Sequence, residues 1–145
     1  MSRGGSDATR LLFAGVIHLP DLISFDIDGT LEAGDPPGVI GMSIVRTAQE
    51  LGYIVGSCSD RPINTQTRIW DEHSIAVDFI VLKQNLGDVM ARFKAEKYFH
   101  VGDSEVDKFF ANQAGFQFIP AEVEAWELAL PNLPLERQAP NSHLS

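Results

Sequence analysis

The segment Phe-Asp-Ile-Asp-Gly-Thr-Leu at residues 25–31 decides the fold. It continues the apolar run Leu22–Phe25, which is predicted to be a buried strand. Asp26 and Asp28 project in roughly the same direction from the strand end, because side chains alternate with a period of two, and Gly29 lets the backbone turn sharply. Two carboxylates at the carboxyl end of a strand suit a divalent cation with oxygen ligands, magnesium above all. They also suit a division of labour between a nucleophile and a general acid/base.

Apolar runs and helical spacings alternate along the rest of the chain. Asn85 is predicted to cap one helix, and Gly52 and Gly115 to end two others. Alternation of this kind predicts an α/β fold, a doubly wound parallel sheet of about five strands with helices on both faces. The predicted strands are 22–26, 53–58, 77–82, 98–101 and 116–119, and the predicted helices are 39–51, 63–72, 86–93, 104–113 and 121–130.

The length of 145 residues and the 44% content of hydrophobic residues predict one domain with a proper core. We expect this domain to span residues 10–130, with flexible ends at 1–9 and 131–145. The segment 11–17 is either a strand or an N-terminal extension. The formal net charge of -9 argues against a general nucleic-acid or membrane-surface binder. A phosphorylated small molecule is compatible with it, since a metal would offset the charge.

The cellular location is predicted from the cysteine content and from the apolar runs. The single cysteine, Cys58, lies in an apolar run and is expected to be a buried small hydrophobe, so no disulfide forms within the chain. The apolar run 11–19 is too short for a membrane span and contains His18. No small-residue cleavage site follows it. These features favour the cytoplasm.

Polar residues end four of the predicted strands, namely Asp26, Ser59, Lys83 and Asp103. A doubly wound parallel sheet brings the carboxyl ends of its strands to one edge, where such sheets bind their ligands. We therefore expect the chemistry of this protein at that edge.

The segment Asp-Ile-Asp-Gly-Thr at residues 26–30 resembles the first motif of the haloacid dehalogenase superfamily, whose commonest members are magnesium-dependent phosphatases. An acidic turn or a calcium-binding loop is the alternative. Calcium loops need further oxygen ligands at close spacing, and residues 34–41 offer only Asp35. The remaining motifs of the family decide between these interpretations.

The second motif of the family is a Ser or Thr that ends an apolar strand, and Ser57 and Ser59 are both candidates. Ser59 is preferred because Arg61 stands two residues on, similar to the Ser-Gly-Arg of several family phosphatases. Asp60 replaces the usual Gly, a departure that puts the geometry of this loop in question. The alternative for either serine is a hydrogen bond within a turn.

The third motif is a lysine that steadies the nucleophile and the phosphoryl group. Lys83 follows a predicted strand and occupies this place, although Gln84 stands where many relatives have Pro. Lys94 and Lys97 are rivals, because some relatives have this lysine at a helix start. They lie late in a helix and just before a strand, so we expect both to be solvated surface residues.

The fourth motif is acidic, and the segment His-Val-Gly-Asp-Ser-Glu-Val-Asp at residues 100–107 resembles it. Asp103 ends a strand and is expected to bind the metal. Asp107 lies on the first turn of the next helix, where it would bind the metal, through a water for example, or hold Lys83 in place. A simple helix-start carboxylate is the alternative.

The resemblance covers about residues 22–119 and implies phosphoryl transfer from a monoester to Asp26. It implies that Asp26, Asp103 and the backbone carbonyl of Asp28 hold Mg²⁺. It further implies that Asp28 is the general acid/base, which the haloacid dehalogenases themselves lack. The resemblance places four residues around the phosphoryl group, namely Ser59, Asp60, Arg61 and Lys83.

The chain has room for one helix between residues 31 and 53, and for one helix and one strand between residues 61 and 83. It therefore resembles the capless family members, whose sites are open. Three functions follow: a phosphatase on a small metabolite with a lid from an oligomeric neighbour, a phosphatase on a nucleic-acid 3′ end, and a non-catalytic binding or assembly module. Arg61, Arg68 and Trp70 favour the second slightly. The intact Asp26 and Asp28 pair argues against the third.

Overall fold

The computed structural model describes residues 12–13 and 16–135, with side chains from residue 18 onward. The predicted flexible end at 1–9, and residues 136–145 of the predicted flexible end at 131–145, lie outside the described residues. The first described element is a small antiparallel ribbon formed by β1 (Leu12–Phe13) and β2 (Val16–Ile17). The sequence did not place this segment, which forms a two-stranded sheet separate from the main one.

The main sheet has five strands, all parallel, and confirms the predicted fold class. Its strands in chain order are β3 (Leu22–Phe25), β4 (Ile54–Ser59), β5 (Phe79–Leu82), β6 (Tyr98–Gly102) and β7 (Gln117–Pro120). The spatial order is β5-β4-β3-β6-β7, so the strand with the two aspartates at its end is central. This order also reverses direction at β3, the position at which open α/β sheets form a crevice.

Five helices connect or follow these strands, as predicted. They are α1 (Met42–Glu50), α2 (Ile63–Glu72), α3 (Leu86–Arg92), α4 (Glu105–Ala114) and α5 (Val123–Ala129). Gly115 ends α4 in the left-handed conformation with φ 89°. Asn85 is the N-cap residue of α3, as predicted, but its side chain makes no capping hydrogen bond. Asn85 instead closes a 3₁₀ turn, Lys83–Asn85, that leads into this helix.

The helices pack on both faces of the sheet. Helices α1, α2 and α5 bury Val45, Trp70 and Trp126 against one face. Helices α3 and α4 bury Val89 and Ala111 against the other. Side chains of each strand alternate between the two cores, because successive residues point to opposite faces. The central strand is therefore covered on both sides, which fixes the position of its carboxyl end.

The segment between β3 and α1 is a hydrogen-bonded loop. Leu31 and Ile40 form an isolated parallel bridge, and the backbone N–H of Glu32 donates to the Ile40 carbonyl at 2.8 Å. The Glu32 carboxylate accepts a hydrogen bond from the Met42 N–H at 2.9 Å, at the start of α1. The predicted helix start at residue 39 is three residues early, because the bridge holds Ile40 outside the helix.

Residues 131–135 follow α5 without regular structure, as predicted for the tail, but they are not loose. Leu133 and Leu135 are buried in the core, and the indole N–H of Trp126 donates to the Leu133 carbonyl at 2.6 Å. The packed part of the chain therefore extends beyond the expected boundary at residue 130. Among the described helices, none has the length and apolar character needed to cross a membrane.

Candidate active site

Asp26 lies directly beyond the central strand β3, in the crevice of the sheet. Its backbone N–H donates to the Val101 carbonyl at 2.9 Å, which continues the pairing of β3 with β6 by one residue. Its side chain is buried, with 6% exposed, and Oδ2 lies 3.7 Å from Nζ of Lys83. The polar residues that end β3 and β5 thus meet, as the sequence predicted from the sheet topology.

Lys83 is surrounded by carboxylates. Its Nζ lies 3.2 Å from Oδ1 of Asp107, 3.7 Å from Oδ2 of Asp26 and 3.6 Å from Oδ2 of Asp60. Burial works to lower the pKa of Lys83, but the charges of Asp26 and Asp107 outweigh it and raise the pKa above its usual value. The ammonium group is therefore a permanent positive charge in this buried site.

Asp26, Asp103 and Asp107 form a cluster in which one carboxylate oxygen of each lies within 4.8 Å of the others. Burial and the charge of Asp107 raise the pKa of Asp26 to about 8, although Lys83 acts in the opposite direction. Carboxylate oxygens are the donors that Mg²⁺ prefers. Since one ammonium group does not balance three close carboxylates, the donor set fits a divalent cation.

Two glycines leave the space that the side chains of Asp103 and Asp107 occupy. A Cβ atom at Gly29 would lie 1.9 Å from Oδ2 of Asp103, and Gly29 has a φ of 77° that side chains rarely adopt. A Cβ atom at Gly102 would lie 2.3 Å from Cγ of Asp107. The glycine of the first motif therefore leaves room for the acid of the fourth, a relation that the sequence did not reveal.

The carboxylate of Asp107 is held by three side chains. Oδ1 lies 3.0 Å from Nε2 of His100 as well as 3.2 Å from Nζ of Lys83, and Oδ2 accepts from the Ser104 hydroxyl at 2.9 Å. Burial works to raise the pKa of Asp107, but the His100 hydrogen bond and the neighbouring positive charge hold it at about 2. Asp107 is thus much more than a helix-start carboxylate, although its backbone N–H does bond the Ser104 hydroxyl at 3.2 Å.

The side chain of Asp28 is bound to Arg61. The Arg61 Nη2 is 2.8 Å from Oδ1, and Nε is 3.1 Å from Oδ2. The backbone N–H of Asp35 also donates to Oδ1 at 2.8 Å. Partial burial works to raise the pKa of Asp28, but the hydrogen bonds from Arg61 and Asp35 lower it below its usual value. Asp28 and Asp26 therefore have pKa values shifted in opposite directions.

The loop after β4 distinguishes the two candidate serines. The Ser59 hydroxyl accepts the backbone N–H of Arg61 at 3.0 Å, the turn hydrogen bond expected of a strand-end serine. Ser57 lies within the strand, donates to Oε1 of Gln66 at 2.7 Å and accepts from the indole N–H of Trp70 at 2.9 Å. Both serines are buried, but Ser57 lies inside β4 with its hydroxyl engaged twice, whereas Ser59 is the last residue of the strand and lies at the edge of the sheet.

Other sequence expectations concern single residues. Lys94 and Lys97 are exposed, as expected for surface lysines. Cys58 is buried, and burial raises the pKa of its thiol. Trp70 is 1% exposed, which removes it as a surface on which a nucleic-acid base could stack.

Comparison with known proteins supports this fold. No protein-family model matches the chain, and no curated protein sequence matches it. Among solved structures, it is similar to the NMR structure of the core domain of "a putative phosphoglycolate phosphatase" from Streptococcus pneumoniae TIGR4, with a TM-score of 0.55. The chain has a haloacid dehalogenase-like fold. Sequence identity is 16%, and the match covers 86% of this chain and 93% of that chain, so the likeness concerns the fold.

Sequence reasoning missed two buried polar residues that hold the side chains and loops of this site in place. His100 and Gln66 are both fully buried; the His100 ring contacts two side chains, and the Gln66 amide makes three hydrogen bonds, one of them with Ser57. Gln66 donates to the carbonyls of Arg61 at 2.9 Å and Val81 at 3.1 Å, so it ties the loop after β4 to the end of β5. A polar residue at an apolar position of a strand or helix was the available signal in both cases.

Proposed function

We propose that the protein is a magnesium-dependent phosphomonoester hydrolase that acts through an aspartyl-phosphate at Asp26. The main support is the position of the Asp26 carboxylate. It is buried at the end of the central strand, 3.7 Å from the Lys83 ammonium group and in a cluster with Asp103 and Asp107. A nucleophilic carboxylate needs this combination of a cationic neighbour and a metal site, because it must approach an anionic phosphoryl group.

Asp26 and Asp103 would hold Mg²⁺ with their carboxylates, and Asp28 with its backbone carbonyl. Bound Mg²⁺ offsets negative charge on phosphoryl oxygens and on the carboxylates themselves. The raised pKa of Asp26 reflects its burial and its acidic neighbour in the metal-free protein. A cation in this cluster favours the ionised, nucleophilic form of Asp26.

The first step joins an Asp26 carboxylate oxygen to the phosphorus atom and breaks the bond from phosphorus to the leaving oxygen. Asp28 gives a proton to that oxygen, and in the second step takes one from the water that cleaves the acyl phosphate. The pair of Asp28 with Arg61 keeps this carboxylate facing the crevice but favours its ionised form. Substrate binding must therefore weaken the Arg61 contact before Asp28 acts as an acid.

Lys83 and Ser59 are placed to bind the phosphoryl oxygens. Lys83 is fixed beside Asp26, and the Ser59 hydroxyl, which accepts from the Arg61 N–H, keeps its own proton for a hydrogen bond. Asp60 is 81% exposed and 3.6 Å from Lys83, where it competes with an incoming phosphoryl group for the ammonium charge. It is the residue of this loop least suited to binding an anion.

We further propose that the protein is of the capless type. Between β3 and β4 the described chain forms one loop and α1, and between β4 and β5 it forms α2 and a short connection. These connections leave no room for a folded cap over the site. A groove of about 670 Å³, lined by Asp103 and by residues from the end of β6, α4 and β7 but not by Asp26 or Lys83, adjoins the site. An open site of this kind suits a large substrate or a lid from a second subunit.

The test is hydrolysis of an aryl phosphate with and without Mg²⁺, followed by a screen of phosphorylated metabolites and 3′-phosphate oligonucleotides. We expect turnover that depends on Mg²⁺ and a phosphorylated Asp26 in acid-quenched protein by mass spectrometry. Asp71→Asn is the matched control, because Asp71 is an exposed carboxylate on α2. Absence of turnover on every substrate, with Mg²⁺ present, would instead favour a non-catalytic module. A preference for the oligonucleotides would favour the 3′-end phosphatase.

A further inference from the structure

His100 lies in the middle of β6, with no exposed surface, and bridges two strands to a helix. Its Nδ1 is 3.0 Å from the Ser24 hydroxyl oxygen on the central strand β3, and Ser24 is its register partner in the sheet. Its Nε2 is 3.0 Å from Oδ1 of Asp107 on α4. The imidazole thus spans the interior directly beneath the carboxylate cluster.

The direction of these hydrogen bonds follows from the groups involved. An ionised Asp107 carboxylate only accepts hydrogen bonds, so Nε2 of His100 carries the proton and donates it. In the neutral ring Nδ1 then accepts from the Ser24 hydroxyl. The chain of contacts therefore runs from Ser24 through His100 to Asp107, and from Asp107 to the Lys83 ammonium group.

Phe99 and Val101, the neighbours of His100 in β6, are apolar and buried but point to the opposite face of the sheet, so the imidazole alone makes the polar contacts on its face. Without the imidazole, the buried Oδ1 of Asp107 would lose one of its two partners. A buried carboxylate that lacks a donor is costly, and it rotates or shifts to recover one. Such a movement would take Lys83 with it, because the two atoms are only 3.2 Å apart.

We propose that His100 is a positioning residue that fixes the Lys83 ammonium group beside Asp26 by holding Asp107 in one orientation. This inference rests on the proposed function for the meaning of the Lys83 position. The three donors on Asp107 account for its carboxylate without a metal, whereas Asp103 in the same cluster is exposed. The effect of His100 therefore reaches the phosphoryl group through Lys83 and leaves metal affinity to Asp26 and Asp103.

The test compares His100→Leu with His100→Gln. Leu fills the space but donates nothing, and the Gln amide can donate to Asp107. We expect His100→Leu to lower kcat and to raise the Ki of inorganic phosphate, each by roughly 10–100-fold, the usual effect of losing a partner that orients a site residue. His100→Gln should recover most of the loss, and the Mg²⁺ concentration for half-maximal activity should stay unchanged in both. His73→Leu, a half-buried histidine that bonds the Ile69 carbonyl, is the control and should match wild type.

Equal losses in the Leu and Gln variants would show a purely structural role, and a raised Mg²⁺ requirement would show that Asp107 acts on the metal. Either result overturns the inference. A measurement without turnover separates it from the proposed function: ¹⁵N spectra of the histidine side chains should show the His100 proton on Nε2, with a signal that moves in Asp107→Asn. A ring with its proton on Nδ1 and none on Nε2 would overturn the inference even in an active enzyme, because Nε2 could not then donate to Asp107. If the spectrum shows the His100 proton on Nε2 but the protein hydrolyses no phosphate ester, the proposed function is wrong and the contact of His100 with Asp107 stands.

Discussion

The guanidinium group of Arg61 donates hydrogen bonds to both carboxylate oxygens of Asp28, with Nη2 2.8 Å from Oδ1 and Nε 3.1 Å from Oδ2. The contact joins the segment with the first motif to the loop after β4. It also sets the resting state of the proposed general acid, because an ion pair favours the ionised carboxylate. We therefore expect Arg61 to control the protonation of Asp28, in addition to its proposed contact with the substrate.

The Asp28→Asn variant should keep metal and phosphate binding but lose turnover of poor leaving groups most. An aryl oxide leaves without a proton, whereas an alkoxide needs one. We expect a fall in kcat of about 10²–10⁴-fold for alkyl phosphates, the usual contribution of general acid catalysis, and a smaller fall for aryl phosphates. Equal losses for the two classes of leaving group would exclude the acid role.

The Asp26→Asn variant should have no phosphatase activity on any substrate, including an aryl phosphate. The amide is a poor nucleophile and forms no acyl phosphate, while the fold should persist because the side chains have the same shape. Activity within tenfold of wild type would rule out Asp26 as the nucleophile. Asp71→Asn, measured beside it, should be indistinguishable from wild type, since Asp71 is exposed on α2.

Chelation with EDTA should abolish activity, and added Mg²⁺ should restore it. Asp103→Ala should raise the Mg²⁺ concentration needed for half-maximal activity, or eliminate the response, because it removes a carboxylate from the cluster. Circular dichroism should show an unchanged fold, since Asp103 is exposed. Full activity in excess chelator would remove the metal from the mechanism.

The metal-free protein should lose stability as the pH rises from about 4 to about 8. The folded-state pKa of Asp26 is about 8, above the ordinary value of about 4 for an unfolded chain. The folded state therefore binds more protons in this window, and the contribution of Asp26 to stability is greatest below the unfolded pKa. The slope is at most about 1.4 kcal/mol per pH unit for one proton.

Urea unfolding at several pH values in EDTA would measure this slope. Asp26→Asn should flatten it, and so should saturating Mg²⁺ in the wild type, which favours the ionised form. Below pH 4 the trend should reverse, because the lowered pKa of Asp107 contributes stability that is lost as the pH falls toward 2. A wild-type slope that persists in Asp26→Asn would assign the titration to another group.

The open site should be reflected in the oligomeric state or in the substrate size. The loop at residues 32–38 is the local cover, and its charged residues Glu32 and Asp35 are both acidic. A monomer would therefore hydrolyse small phosphates slowly and with little selectivity, because nothing excludes water or recognises the leaving group. Light scattering together with kinetics tests this expectation. A monomer with high selectivity for one small metabolite would contradict it.

The sequence predicted the fold well because its signals were local. Apolar runs, helical spacings and the glycines after α1 and α4 identified every strand of the main sheet and the five α-helices of the described residues, and α2 has the predicted bounds Ile63–Glu72. Helix ends were less accurate where tertiary contacts decide them. Ile40 was predicted to be helical but instead forms a β-bridge with Leu31, a pairing that no local pattern indicates.

The site was predictable only where its residues follow strands. Asp26 and Lys83 were brought together by topology, which the alternating pattern implies. Lys83 was named as a possible partner of Asp107, but the contacts of His100 with Asp107 and of Gln66 with Ser57 were not predictable. They form only when the helices pack on the sheet. Their one local sign is polarity at a buried position, which shows that a partner exists but does not name it.

The contact between Trp126 and Leu133 determines where this domain can be cut. A chain that stops at Leu130 would keep every helix and strand of the main sheet but would uncover a tryptophan that is now fully buried. Such a fragment would present a fresh apolar surface and a bare indole N–H, and would tend to aggregate. A purification tag, a fusion partner or a proteolytic site belongs after Leu135.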